Sequence, residues 1–326
     1  MNSKAIKRQL LAAIAMVLVA ALALGSSTYA WFVSNTKVQA NLSSVSATSA
    51  SPNLLIVAGA ESDGTASTTG GGTVSTLAST ASTALYPAST DTCTSTGWWV
   101  VNGWTSTASA PLANAYRNVA ISEVANGTNV ANGTYTQGSQ TLNAYQVSTY
   151  SIYTTTGEVA LNLDPVNPIS VAVDTAGTTN PAVTGTGFKD SLRVGVVVDG
   201  TLKVVYAPTA ETAANGNDSD KTTNSATTVW RTVADASSTK DASYTTLSGT
   251  TFTGWTATDN NDGTYTKATN SLGDVDTDGV VVKVYVWLEG TDTNCVVGSA
   301  DSASDDDSYK VTLNFVGATV DAPTGP

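Results

Sequence analysis

Short apolar runs, separated by turn-forming residues, follow one another along the chain after residue 30 and limit the folds it can adopt. The runs are rich in Val, Ile, Tyr and Thr, which favour strands, and no long helical periodicity follows residue 30. Asp199-Gly200 separates two of the runs, and this dipeptide is typical of a two-residue β-hairpin turn. The clearest runs predict strands at residues 145–154, 158–163, 169–173, 191–198, 202–207, 280–289 and 309–317.

Many short strands with frequent turns are typical of an all-β protein, and we expect a two-sheet β-sandwich with jelly-roll-like connections. The chain has 326 residues, of which 41% are hydrophobic, so it can bury a core of that kind. We expect the sandwich to occupy residues 51–326. Within it, residues from about 208 to 278 are mostly Asn, Asp, Thr, Ser and Gly, which indicates a loop-rich insertion.

The first thirty residues have the pattern of a secretory signal peptide. A short basic stretch precedes an apolar run at residues 10–24, which is the length of a signal helix and short for a membrane span. Ala30 offers a small residue for signal peptidase, so cleavage would make Trp31 the new N-terminus. Two alternatives stay open, namely a retained membrane anchor and a prepilin-type cut near Gln9.

The junction LALGSSTYAWF resembles the signal-peptide junction of the TasA and camelysin family of secreted Gram-positive proteins, which a SipW-type peptidase processes. The run VVVKVYVWLEGTDTNC, residues 280–295, is similar to a strand and turn found late in proteins with this type of signal. The resemblance implies a jelly-roll sandwich that is exported and assembles with copies of itself into an extracellular fibre or pilus of the biofilm-matrix type. The signal peptidase would be a partner during export.

Residues 31–50 are expected to form an N-terminal strand. Their apolar residues alternate with polar ones up to residue 42 and then resume on the opposite phase, which predicts a β-bulge at Ser43-Ser44. The resemblance implies that this segment is a donor strand, which completes the sandwich of the next subunit. Alternation alone fits pairing within the same chain equally well. The donor residues would be Trp31, Phe32, Val38, Ala40 and Leu42.

Composition and charge exclude several classes of function. The net charge is −12, which disfavours binding to nucleic acid and to anionic lipid, so contact with a membrane is expected only before processing. The chain has no His, which removes His-dependent hydrolase triads and ordinary zinc sites. We therefore expect no enzymatic activity.

The two cysteines, Cys93 and Cys295, lie far apart in the sequence and do not form a metal-binding or thioredoxin-type motif. In an exported protein a disulfide between them is the natural interpretation, and it would close a long loop. The alternative is a pair of buried thiols.

An acidic stretch, DVDTDG, places Asp274, Asp276 and Asp278 at alternate positions before Gly279. This is the first half of a calcium-binding loop, but position twelve is Tyr285 instead of the bidentate Glu. Calcium is therefore a candidate cofactor, and a solvated acidic turn is the alternative. Oxygen ligands from another loop would have to complete the site, such as those of Asp259, Asn261, Asp262 and Asp305–Asp307.

Aromatic residues are concentrated in GWWVVNGW, which contains Trp98, Trp99 and Trp104. An exposed patch of this kind can stack on sugars or anchor a neighbouring subunit. The alternation of Trp and Val also fits a strand that is covered on both faces.

Together these features favour a secreted or cell-surface structural subunit that polymerises with itself through its N-terminal strand. The alternative is a monomeric cell-surface binding module, which would use the Trp residues for glycans or the acidic loops for calcium-dependent adhesion.

Overall fold

The computed structural model describes the chain in segments, and nearly all of them lie in or beside β-strands. The described residues are 38–48, 54–59, 74–77, 82–90, 92–101, 116–127, 129–155, 157–173, 191–208, 229–231, 239–241, 245–261, 264–290 and 308–319. The expected signal peptide, which ends at Ala30, and the expected donor residues Trp31 and Phe32 lie outside them. In these segments we find no helix with the length and apolar character needed to span a membrane.

The strands of the described segments are numbered in chain order. They are β1 (Val38–Thr48), β2 (Leu54–Ala58), β3 (Val74–Leu77), β4 (Ser82–Leu85), β5 (Ala88–Thr90), β6 (Trp98–Val101), β7 (Tyr116–Val119), β8 (Ser122–Ala125), β9 (Val130–Gln137), β10 (Gln140–Thr154), β11 (Val159–Leu163), β12 (Ile169–Val173), β13 (Leu192–Val198), β14 (Thr201–Ala207), β15 (Val229–Arg231), β16 (Thr239–Asp241), β17 (Thr245–Ser248), β18 (Thr258–Asp259), β19 (Tyr265–Thr266), β20 (Gly273–Val275), β21 (Val280–Leu288) and β22 (Ser308–Thr319).

The first large sheet, sheet A, is built around β22. On one edge β22 pairs antiparallel with β12 and then with β11, and on the other edge it pairs parallel with β1. Beyond β1 lie β3 and β4, and beyond β11 lies β20. The short pair β18 and β19 joins the sheet at the end of β22.

The second large sheet, sheet B, has the strand order β17-β14-β13-β21-β10-β9-β8, with β2 beside the second half of β10. Its pairs are antiparallel except for β14 with β17. The chain passes from one sheet to the other repeatedly, as expected for a jelly-roll-like sandwich. The predicted all-β sandwich is therefore confirmed.

The main core lies between sheets A and B. Along β21 and β22 alternate residues point into it, as the period of two requires, and the others face away from it. On β21 the inward residues are Val282, Val284 and Val286, and on β22 they include Leu313 and Phe315, all of them fully buried.

A second core lies on the opposite face of sheet B, where a small sheet C covers it. Sheet C consists of β5, β6 and β7 paired antiparallel. Trp98 of β6 packs there with Tyr145 of β10 and with Tyr285 and Trp287 of β21. The sequence did not predict this third layer, because its strands are only three or four residues long.

Two local predictions are confirmed. β13 and β14 are joined by Asp199-Gly200, with Val198 paired to Thr201 and φ angles of 46° and 75° at the two turn residues. Two positive φ values are typical of the type I′ hairpin turn. The bulge expected at Ser43-Ser44 is also present, since Leu42 pairs with Val311 and Ser44 pairs with Thr312.

The segment expected as a loop-rich insertion, about 208–278, supplies short strands to both large sheets. β17 extends sheet B, and β18, β19 and β20 extend sheet A. Asn162 of β11 is fully buried and helps to hold this segment, because its side-chain oxygen accepts a hydrogen bond from the backbone N–H of Ala268 at 3.0 Å. The described part of this segment also contributes Trp255, Leu272 and Val275 to the main core.

Candidate functional site: the position of the first strand

The candidate site is the position that β1 occupies inside sheet A. Both edges of β1 are paired, with β22 on one side and with β4 and β3 on the other. A strand at this position fills the middle of a sheet and is not an addition to its rim. Sheet A would be divided between β22 and the β3–β4 side if β1 were withdrawn.

The register of β1 matches its apolar residues to the core-facing residues of β22. Leu42 pairs with Val311 and Val45 pairs with Leu313, and both β22 partners are fully buried in the main core. Ala40 and Ala47 pair with Tyr309 and Phe315, which are also fully buried. Residues in register lie on the same face of a sheet, so the pattern of β1 fits this position in the sheet.

Ser43 interrupts this register. Among the pairs described for β1, every other residue has a partner in a neighbouring strand, and Ser43 has none. On the edge of β1 that faces away from β22, the partner strand changes at the same place. Residues 38–41 pair with β4, and residues 45–48 pair with β3. The pairs of β1 therefore fall into two half-strands, residues 38–42 and 44–48, although β22 runs continuously past both.

The pairing between β1 and β22 is parallel, although most pairs in sheet A are antiparallel. β1 continues into β2 of the opposite sheet through residues 49–53, a short connection. A parallel neighbour cannot be reached by a tight hairpin, so these two strands meet only through the tertiary fold. The contact is therefore one that a second chain could make with the same geometry.

Trp98 does not contribute to the predicted surface patch of Trp98, Trp99 and Trp104. Trp98 is fully buried, and its ring stacks on Tyr145 with the centroids 4.3 Å apart. Trp99 is half-buried on the other face of β6, and Trp104 lies outside the described residues. Trp98 is a core residue because its side chain packs between sheet C, to which it belongs, and sheet B, so it is not available to a glycan.

The acidic turn does not bring its carboxylates together. Asp274, Asp276 and Asp278 are exposed, and in the described segments there is no group of three acidic, Cys or His side chains that could hold a metal ion. Asp276 instead accepts hydrogen bonds from the backbone N–H groups of Asp278 and Gly279, at 2.9 and 3.2 Å. The calcium site stays a prediction, and the observed role of Asp276 is to shape the turn.

Cys93 is buried after β5, and its backbone N–H donates to the Thr90 hydroxyl at 3.0 Å. Its expected partner, Cys295, lies outside the described residues. The backbone N–H of Gly290 donates to the carbonyl of Ala88 at 2.9 Å, and each Cys follows one of these anchored residues in the chain. The disulfide stays a prediction.

A polar cluster that the sequence did not indicate lies at the rim of the second core. The Tyr145 hydroxyl donates to the Glu123 carboxylate at 3.2 Å, and the Lys283 ammonium lies 3.5 Å from the other carboxylate oxygen. Burial and then the charge of Glu123 raise the pKa of Tyr145 well above its usual value. Glu123 and Lys283 are far apart in the sequence, so no local motif could have revealed the pair.

Comparison with protein-family models, with curated proteins and with solved structures found no match to this chain. The functional argument therefore depends on the residues themselves and on where β1 lies.

Proposed function

We propose that this protein is a secreted structural subunit that polymerises into an extracellular fibre or pilus. In the fibre, β1 of one subunit occupies the position between β22 and the β3–β4 side of the next subunit. The donor subunit keeps its own sandwich, and its β1 completes the sandwich of the next subunit. Repetition of this contact along one direction gives a filament without a further partner, as an open head-to-tail contact does.

The observation that carries the proposal is the central, two-sided pairing of β1 at the start of the described chain. A strand held on both edges gains main-chain hydrogen bonds on both sides of Ser43, and such bonds are the source of affinity in strand addition. The register adds specificity, because Leu42 and Val45 pair with Val311 and Leu313 of the buried core. The sequence of β1 is thus suited to a slot that every copy of the chain possesses.

Exchange of β1 between copies leaves most contacts unchanged, since the same strand enters the same slot in either case. Such swapping is a low-cost route to association when the exchanged element joins the rest through a short connection. Residues 49–53 between β1 and β2 are that connection. A high local concentration of subunits at the cell surface would then favour the polymer by mass action.

The signal-type N-terminus supports the same proposal. Export followed by cleavage between Ala30 and Trp31 would release Trp31, Phe32 and β1 from the membrane, which would make the donor segment available outside the cell. The resemblance to the TasA and camelysin family agrees with a fibre of the biofilm-matrix type. In that oxidising location the proposed Cys93–Cys295 disulfide could form, and calcium could reach the acidic turn.

Electron microscopy of the exported chain tests the proposal. We expect filaments from the unchanged chain and none from Ala40→Pro, because proline removes a backbone donor within the first half of β1. Thr36→Pro, which precedes β1, is the matched control and should leave the filaments intact. Near-ultraviolet circular dichroism of the Trp98 cluster, which lies away from β1, checks that the sandwich of Ala40→Pro still packs.

Two results would contradict the proposal. One is the absence of filaments from the unchanged chain across wide ranges of protein and calcium concentration. The other is equal filament formation by Ala40→Pro, which would show that assembly does not use β1.

A further inference from the structure

We propose that the unpaired residue Ser43 sets the rate at which β1 is released from one sandwich and captured by another. This inference rests on the proposed function, since it concerns the exchange of β1 between copies of this chain. The partner is a second copy of the chain. The role of Ser43 is to divide one long strand into two half-strands that can leave and enter separately.

The division is present on both edges of β1 at the same place. Toward β22, Leu42 pairs with Val311 and the next pair joins Ser44 to Thr312. β1 therefore advances by two residues where β22 advances by one. Toward the other edge, residues 38–41 pair with β4 and residues 45–48 pair with β3. Ser43 therefore has no ladder partner on either edge, and although β22 runs continuously past it, opening of one half leaves the pairs of the other half in place.

A strand divided in this way has a lower barrier to exchange than a continuous one. Release of the whole of β1 in one step would break every ladder pair before any new pair forms, whereas a divided strand can keep one half paired. An incoming strand from another subunit can then occupy the vacated half first. β-Bulges in general interrupt a ladder locally, and here the interruption lies near the middle of the exchanged strand.

The residues on either side of Ser43 would also fit a continuous strand. If Ser43 is deleted, Leu42 and Ser44 become neighbours and keep their partners Val311 and Thr312, which are also neighbours. The alternation then runs without a break through residues 40–47, and no described register pair is lost. The bulge is thus not needed to bring the apolar residues of β1 into register with the core.

The bulge at Ser43 should affect the rate of strand exchange and not the final amount of filament. The bulge is present whether β1 pairs with its own β22 or with that of another subunit, so its contribution to the two states is the same. Removal of Ser43 should therefore slow both filament growth and filament dissociation. The amount of filament at equilibrium should be unchanged.

The experiment compares the exported chain with a variant from which Ser43 is deleted, and Ser43→Ala is the control that keeps the number of residues. The first measurement is hydrogen exchange of the backbone amides of residues 309–316 in the monomer, which reports release of β1 without any filament. The second is the rate of filament growth followed by light scattering, with the final amount measured by sedimentation. A further variant with one additional Ser after Ser44 widens the break.

The proposal predicts amide exchange slower by about fivefold to tenfold in the deletion variant, the effect of about one regained backbone hydrogen bond. It also predicts slower filament growth with an unchanged final amount, faster exchange in the insertion variant, and no change in Ser43→Ala. Equal or faster amide exchange in the deletion variant, or failure of that variant to fold, would overturn it.

Failure of the proposed function gives a different pattern. The unchanged chain would then form no filaments, while the amide exchange of the deletion variant would still decide whether Ser43 controls release of β1. Normal filaments with an unaltered growth rate in the deletion variant would instead leave the fibre in place and overturn the role of Ser43.

Discussion

The ring of Tyr145 lies directly over the backbone of Gly133, its register partner across β9 and β10. A Cβ atom placed at Gly133 would overlap the ring atoms of Tyr145. The ring covers a glycine that would otherwise leave a gap in the sheet, as aromatic residues do across glycine in other sheets. This contact brings Tyr145 under Trp98 and so connects sheet B to sheet C.

Gly133→Ala should lower the free energy of unfolding by about 1–3 kcal/mol, because the methyl group displaces a ring in a packed core. Urea unfolding measures the change. The same substitution made in a Tyr145→Ala background is the control, and there the added loss should be much smaller, since the colliding ring is absent. Equal losses in both backgrounds would show that the Tyr145 ring is not what position 133 requires.

Asp276→Ala should destabilise the protein by about 1 kcal/mol, since two backbone N–H groups lose their acceptor. Asp278→Ala, at an exposed position of the same turn, is the matched control and should have little effect. The loss of stability in Asp276→Ala should be the same with a calcium chelator as with added calcium, because the two hydrogen bonds lie within the turn and need no metal ion. A loss that appears only with calcium would establish a calcium site there.

Buried tyrosines should make the protein unfold in alkali. Burial raises the pKa of Tyr150 and of Tyr206 to about 12, and it raises the pKa of Tyr135, Tyr145 and Tyr285 further in the same direction. Below pH 10 both the folded and the unfolded chain keep these protons, so stability is unaffected. Above pH 10 the unfolded chain loses them first, so the free energy of unfolding falls as pH rises.

Absorbance of tyrosinate, recorded together with circular dichroism, measures this effect. The buried tyrosines should ionise together with unfolding, and Tyr206→Phe should lower the dependence of stability on pH above pH 10. The loss should be roughly 1 kcal/mol for each pH unit and for each such tyrosine. Independent titration of all tyrosines near pH 10 in a folded protein would contradict the burial described here.

The exported chain should contain the Cys93–Cys295 disulfide. Reductant should then lower its thermal stability, and Cys295→Ser should be as unstable as the reduced chain and insensitive to reductant. The chain-entropy estimate for so long a loop is about 5 kcal/mol, as an upper figure. Mass spectrometry of the unreduced chain measures the bond directly, and two alkylatable thiols in that chain would exclude it.

Local features of the fold were predictable because they depend on neighbouring residues. Asp199-Gly200 determines its own turn, and the change of phase after Leu42 indicates the bulge at Ser43. Contacts between distant segments were not predictable in this way. The parallel pairing of β1 with β22 and the packing of Trp98 in sheet C against sheet B depend on tertiary contacts, which no short pattern records.

The candidate site was also predictable only in part. The alternation of Val38, Ala40 and Leu42 indicated a strand with one apolar face, but it could not say which strands would flank it. In a single chain β1 pairs with its own β22. The proposed fibre requires the same pairs between different chains.

The most direct test uses two single-cysteine chains, one with Asn41→Cys and one with Lys310→Cys, both in a Cys93→Ser, Cys295→Ser background. Residues 41 and 310 are register partners, and Lys310 is exposed, so a disulfide can form wherever β1 of one chain lies beside β22 of the other. The control replaces Asn41→Cys by Ser46→Cys, because Ser46 pairs with Asn314 and lies far from residue 310.

Filaments grown from the mixture and then oxidised should contain cross-linked dimers of the two chains for the 41 and 310 pair and none for the control pair. Filaments that give no such dimer, while a chain carrying both substitutions closes only within itself, would show that β1 never leaves its own sandwich.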